Sequence, residues 1–254
     1  MKHDEEMIHA LLLLGDVFLR SGAEIYRVED TLNRMGRAYG AAEINVFVIT
    51  SSIVITMKNP QGEISTQTRR VYQANENDFS RLTALNALSR SFCTSPCPAK
   101  ELEEKIQSIA GEKVTPEISL AGSILAAGAF AIFFGGNATD ALAAGTAGIF
   151  IWLLQRYLSP VCMNDVVFTF FASFLSGLMI CGAGALFPAI HTDMVMIGAI
   201  MLLIPGVMMT NSLRDILLGD TLSGIIRLIQ ALLLAGVLAA GFFAAILLTG
   251  RLMV

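Results

Sequence analysis

Between residues 202 and 224 the chain reads LLIPGVMMTNSLRDILLGDTLSG, an apolar run broken by a proline–glycine pair and then seeded with polar groups. Pro205 cannot donate an amide to the carbonyl of Met201, and Gly206 softens the helix beside it. A helix broken inside a bilayer exposes backbone that lipid cannot satisfy, so the break must face protein or a watery cavity. The half-helix that follows turns its positive end toward the break, an arrangement that receives a substrate carboxylate. Pro205, Gly206, Thr210 and Asn211 are therefore the candidate substrate-binding positions. Arg214, Asp215 and Asp220 close the stretch as candidate gating or proton-coupling groups. The competing reading is a packing kink followed by charges that cap the helix and set topology. A charge at the bilayer centre costs ~2.5–3.5 kcal/mol on insertion scales, which places these three at the interface.

Two further positions carry chemistry. Asn164-Asp165 opens an apolar run and reads as a helix N-cap, with Asp165 also available to line a cytoplasmic vestibule beside Asp215. Near the N-terminus, Glu29 lies four residues after Ile25 and three before Leu32, inside the apolar stripe of its helix. A carboxylate there needs a partner, either an arginine from elsewhere or a docking surface. Arg27 belongs to the solvated ladder on the opposite face, with Asp16, Arg20, Glu24 and Arg34.

A catalytic constellation is missing. The chain contains no GxSxG, HExxH or GxxxxGK[ST], and no GxGxxG after a strand. No enzyme activity, cofactor or metal is expected, and without a phosphate-binding loop any transport must draw on a gradient or on another chain. Cys93 and Cys97 form a CxxxC with no second ligand pair, and read with Cys162 and Cys181 as free thiols.

These groups must be positioned by a chain of two solvents. Residues 1–117 hold 13 of the 17 basic and 16 of the 21 acidic side chains. From residue 118 onward only Arg156, Arg214, Arg227 and Arg251 stand against five aspartates, with no Lys or Glu. Neither part has the basic stripe that nucleic acid requires. Apolar runs near 118–137, 141–158, 166–187, 194–213 and 226–248 each approach the ~20 residues that cross a bilayer. The expected fold is a membrane protein: a cytoplasmic α+β domain over 1–116, then an all-α bundle of about five transmembrane helices over 117–254. The opening MKHDEEMIHALLLLGD lacks the flanks of a signal peptide. With the N-terminus inside, Arg156, Arg214 and Arg227 fall on the cytoplasmic side and Arg251 outside, so the C-terminus is expected outside a bacterial inner membrane. Small-residue pairs such as Gly145/Gly148 and Ser173/Gly177 suit close helix approach in lipid.

In the first domain, residues 5–39 read as one long helix or two in line. Strands follow at 44–49 and 53–57, a turn at 58–62, and a polar strand at 63–69. Helices near 78–92 and 98–110 complete it, with 111–116 as the exit linker.

GDVFLRSGAEIYRVEDTLNRMGRAYG and IPGVMMTNSLRDILLGDTLSG together resemble the threonine/serine exporter family, in the form of its split, YjjP-like larger subunit. The resemblance implies secondary export of small carboxylate-bearing metabolites: threonine and serine for fused members, succinate for a split pair. Fused members carry about ten spans. A chain with five is therefore expected to work with a YjjB-like small membrane subunit, by self-association, or both. The motif residues map onto Arg27, Glu29, Pro205, Gly206, Asn211, Arg214, Asp215 and Asp220. Two rivals remain open: a membrane-anchored ligand-binding assembly or regulatory protein without transport activity, and a membrane-embedded hydrolase built on Glu29 or the aspartates.

Overall fold

The computed structural model describes residues 2–72, 77–112 and 115–252, leaving part of the 111–116 linker and the Arg251 side chain outside the described residues. The chain forms two compact units. One comprises Met1–Lys113 with Val207–Leu228, the other Val114–Gly206 with Ile229–Val254. Residues 207–228 thus group with the N-terminal residues and not with the other apolar helices.

In the first unit, residues 5–39 fall in two helices, α1 (Lys2–Arg20) and α2 (Ile25–Tyr39). The reason is local. Gly22 takes a left-handed φ of 89°, and the amides of Gly22 and Ala23 fold back onto the carbonyls of Leu19 and Phe18, a Schellman stop. Next come β1 (Glu43–Ile49), β2 (Ser52–Lys58) and β3 (Ile64–Arg70), an antiparallel meander in the order β1-β2-β3 with Val46 opposite Ile55 and Ile55 opposite Gln67. Alternation puts Ile44, Val46, Val48, Ile53, Ile55 and Met57 on one buried face, under α1 and α2. α3 (Phe79–Thr94) and α4 (Ala99–Gly111) pack on the outer sides of the α1–α2 pair. The expected charge ladder is partly internal: Asp16 is buried and accepts from Arg20 at 2.7 Å and from Arg69 of β3 at 3.1 Å.

The apolar helices are α5 (Pro116–Phe133), α6 (Ala138–Tyr157), α7 (Asp165–Leu186), α8 (Thr192–Leu203), α9 (Gly206–Leu218) and α10 (Thr221–Leu252). Four are long and apolar enough to cross a membrane, and α8 with α9 makes a fifth if the bent pair counts as one span. The break falls at Ile204–Pro205, where the proline argument put it. α10 has 32 residues, about 48 Å at 1.5 Å per residue, against a ~30 Å hydrocarbon layer. Its first two turns are surplus to a crossing, and they belong to the first unit.

The second unit packs through small residues. A Cβ on Gly198 of α8 would sit 2.5 Å from the Ala127 carbonyl of α5, and one on Gly148 of α6 would sit 2.6 Å from that of Ser123. Gly177 likewise abuts Phe242 and Ala245 of α10, whereas Gly122 and Gly236 face open space. The motif reading thus holds for some of the pairs and fails for others, because spacing alone cannot say which helix face meets a neighbour. Asp140 is fully buried at the start of α6. It caps its own helix, and accepts from the His191 amide at 2.8 Å and pairs with its Nδ1 at 3.0 Å. Gly198→Ala is expected to destabilise the chain by about 1–3 kcal/mol through overpacking, whereas Gly122→Ala is neutral; melting temperatures in detergent check both.

Candidate functional site

The polar residues singled out at 211–220 converge on the corner between α1 and α2. α9 ends in a second Schellman stop: Gly219 takes a φ of 103° and Asp220 donates its amide to the Asp215 carbonyl at 2.9 Å. The chain then turns straight into α10. Ser212, Ser223 and Gly224 let the two helices close, and a Cβ on Gly224 would meet the Ser212 carbonyl at 2.8 Å. This hairpin presents four side chains to the α1–α2 corner.

Asp215 is at the centre and has no exposed surface. Its Oδ1 accepts from the amide of Ile25 at 3.3 Å, and its Oδ2 accepts from Nη1 of Arg227 at 2.9 Å. Ile25 is the first residue of α2, and its own N-cap residue, Glu24, supplies no side-chain cap. Asp215 is therefore the N-cap of a helix 190 residues away in sequence, with a negative charge at the favourable dipole end. Nη2 of Arg227 donates to the Ala23 carbonyl at 3.2 Å. Arg214 donates to Oε1 of Glu24 at 2.9 Å, and Nδ2 of Asn211 donates to the Gly22 carbonyl at 3.1 Å. Residues 22–25 are thus held at every position by the α9–α10 hairpin.

This placement corrects two expectations. Asp215 does not sit in interfacial water but is enclosed and paired with a largely buried arginine. Glu24 does not lie on a solvated ladder; it is 9% exposed and bonded to Arg214. Other groups stay open: Thr210, Arg27 and Gly206 are exposed and Pro205 is half-buried, while Pro205 and Gly206 end the other compact unit. Asp165 is exposed in the first turn of α7, where Asn164 caps by accepting from the Val167 amide at 2.9 Å.

Among the described residues Glu29 is met by backbone and not by an arginine. Its Oε1 accepts from the amide of Val48 on β1 at 2.8 Å. Burial pushes its pKa upward against that hydrogen bond, and the negative charge of Asp220 pushes it further. Asp220, in the turn between α9 and α10, is also raised by burial. Sequence reasoning missed Glu24, Ala23, Ile25 and the role of Arg227. The signal for Arg227 was present: an arginine within IIRLIQALLL requires a buried acceptor.

Beside the corner lies a cavity of about 280 Å³ lined by Phe18, Glu24, Arg27, Phe79, Asn86 and Asn211, among others. Among the described residues, no three His, Cys, Asp or Glu side chains converge as metal ligands, and the four cysteines are unpaired.

The two segments with the family resemblance are thus the two halves of one contact. The family model described as "Putative threonine/serine exporter" matches residues 9–249. The chain belongs to the threonine/serine exporter family. It is 23% identical over 236 residues to the threonine/serine exporter of Corynebacterium glutamicum, an alignment that covers 90% of this chain and 48% of that protein. The chain therefore spans about half the length of the curated relative it matches. No solved structure matches it.

Truncating one partner of a buried ion pair costs about 3–5 kcal/mol, because the other charge is left uncompensated. Asp215→Ala should lose that much, and the paired Asp215→Leu/Arg227→Met change should recover most of it; unfolding in detergent measures both. A raised acid costs stability as pH climbs from its unfolded value of 4.5 through its folded value, since the native state holds the proton longer. Glu29→Gln is expected to flatten the melting-temperature profile above about pH 4.5 without lowering it at pH 7.

Proposed function

We propose that this chain is the larger subunit of a secondary transporter that exports small carboxylate-bearing metabolites across the bacterial inner membrane. Threonine and serine, or succinate-like dicarboxylates, are its substrate class. The observation that carries this reading is the exporter-family match over nearly the whole chain, combined with half the length of the exporter it aligns to. A second, YjjB-like small membrane subunit, or another copy of the chain, works with it. Residues 1–116 form a cytoplasmic domain, residues 117–254 cross the bilayer, and the C-terminus lies outside.

Within that frame the polar groups divide the work. The broken helix at Pro205–Gly206, with Thr210 below it, receives the substrate carboxylate. Asn211, Arg214 and Asp215 tie the cytoplasmic domain to the helix after the break, so that a change at one is felt at the other. Asp215 is poorly suited to carry a proton while Arg227 remains buried against it, since neutralising the carboxylate strands the guanidinium. Asp220 and Glu29 suit it better: both are raised acids, and neither is neutralised by an arginine in the ion pairs of the described residues. Arg214, exposed, attracts anions on the cytoplasmic side, and Asp165, also exposed, lines the vestibule there. A second reading, a membrane-anchored ligand-binding or regulatory protein, is favoured by the cavity at the α1–α2 corner.

Proteoliposomes containing the chain with its small partner subunit, loaded with L-threonine, L-serine or succinate, test the proposal. Flux of at least one substrate is expected to follow an imposed proton gradient and to fall at least tenfold in Asp220→Asn and Glu29→Gln. Full gradient-driven flux in both variants would remove the proton assignment. Absence of flux in every pairing would leave the regulatory reading.

A further inference from the structure

The cavity at the α1–α2 corner contains a chemical mismatch. Glu24 lines it, and one of its carboxylate oxygens is taken by Arg214 at 2.9 Å. The other, Oε2, is buried and has no hydrogen-bond partner among the described residues. A buried carboxylate oxygen without a donor is costly, more so than a neutral acceptor, and it marks a place where a donor is to arrive. Arg27, the third residue of α2, lines the same cavity, with its guanidinium in no ion pair among the described residues. Its amide is in the first turn of α2, where of the leading N–H groups only that of Ile25 meets a side-chain acceptor, Asp215.

An acceptor that lacks a donor and a cation that lacks an anion thus share one small space. Glu24, the extended residue before α2, and Arg27, in its first turn, border the same cavity, so one small ligand can meet both charges. At about 280 Å³ the cavity is at the small end of ligand pockets, which run about 300–1,000 Å³. Between the charges, Thr83, Asn86 and Asn211 supply short polar groups. Asn211 and Asn86 spend their amide nitrogens on backbone carbonyls, which leaves their carbonyl oxygens for a ligand hydroxyl. Phe18, Phe79 and Leu82 make the apolar wall.

We propose that this cavity binds a small zwitterionic α-amino acid, its ammonium on Glu24 Oε2, its carboxylate on Arg27, and a short polar side chain against Asn86 and Asn211. The site takes its ligand class from the exporter reading, on which it rests for that class. Because Glu24 and Asn211 also hold the α9–α10 hairpin, occupancy is communicated to it: an ammonium on Glu24 competes with Arg214 for the same carboxylate. A dicarboxylate has nothing to offer Glu24 and is rejected.

Calorimetric titration of the full-length chain in detergent micelles with L-threonine and L-serine tests the site, with succinate and N-acetyl-L-threonine as comparison ligands. Saturable binding of L-threonine or L-serine is expected, weakened at least tenfold in both Glu24→Gln and Arg27→Gln, with no binding of the two comparison ligands. Arg27 is exposed and takes no part in the hairpin contacts, so Arg27→Gln decides alone if Glu24→Gln does not fold. No saturable binding of either amino acid, equal binding of the N-acetyl derivative, or unchanged affinity in Arg27→Gln overturns the proposal. Because the readout is binding, a chain that transports nothing yet binds L-threonine through Arg27 still supports the site. Normal flux with unaltered binding in Arg27→Gln sinks the site and leaves the exporter reading intact.

Discussion

The carboxylate of Asp215 is the group on which the first unit depends. It ends two problems at once. The first helical amide of α2 needs an acceptor because Gly22 has broken the α1–α2 run and Glu24 does not cap it. Arg227, in a strongly apolar helix, needs an anion. One carboxylate meets both needs, and so joins an N-terminal α+β layer to a helical hairpin nearly two hundred residues away. The arrangement is stable only while both partners are present, as expected of a buried ion pair whose members have each lost their water.

Around this closed pair the electrostatics are graded. Asp215 and Arg227 are shut in, Glu24 is buried against an exposed Arg214, and Asp220 and Glu29, in no ion pair among the described residues, hold their protons longer than ordinary carboxylates. The lock and one of the titratable acids therefore lie five residues apart in the chain, at Asp215 and Asp220. The physical distinction between them is the arginine. Burial beside a fixed positive charge makes a strut, and burial without one makes an acid that responds to pH.

The length of α10 makes the contact possible. Its 32 residues exceed what a ~30 Å hydrocarbon layer needs, so a helix of this length can cross and still give its first turns to the α1–α2 corner. Arg214 and Arg227 were read from sequence as topology markers, and the structure gives them acceptors at 2.9 Å. Both roles are compatible, because an arginine held by protein on one side of a membrane also resists crossing it.

Local patterns in the sequence determined a great deal. The change of solvent at residue 118, the three strands, the helices near 78–92 and 98–110, and the break at Pro205 are all legible, since each depends on neighbours within a few residues. The importance of 211–220 was legible too, because charged groups beside apolar helices are few. What those groups hold was not. Asn211, Arg214 and Asp215 read as groups awaiting a substrate or water, and the fold turns them onto residues 22–25. Glu29 looked in want of an arginine, and a β1 amide answers it. Helical spacing says which side chains share a face, whereas the partner of a buried charge is chosen by long-range packing, and only the tertiary structure brings residue 25 to residue 215.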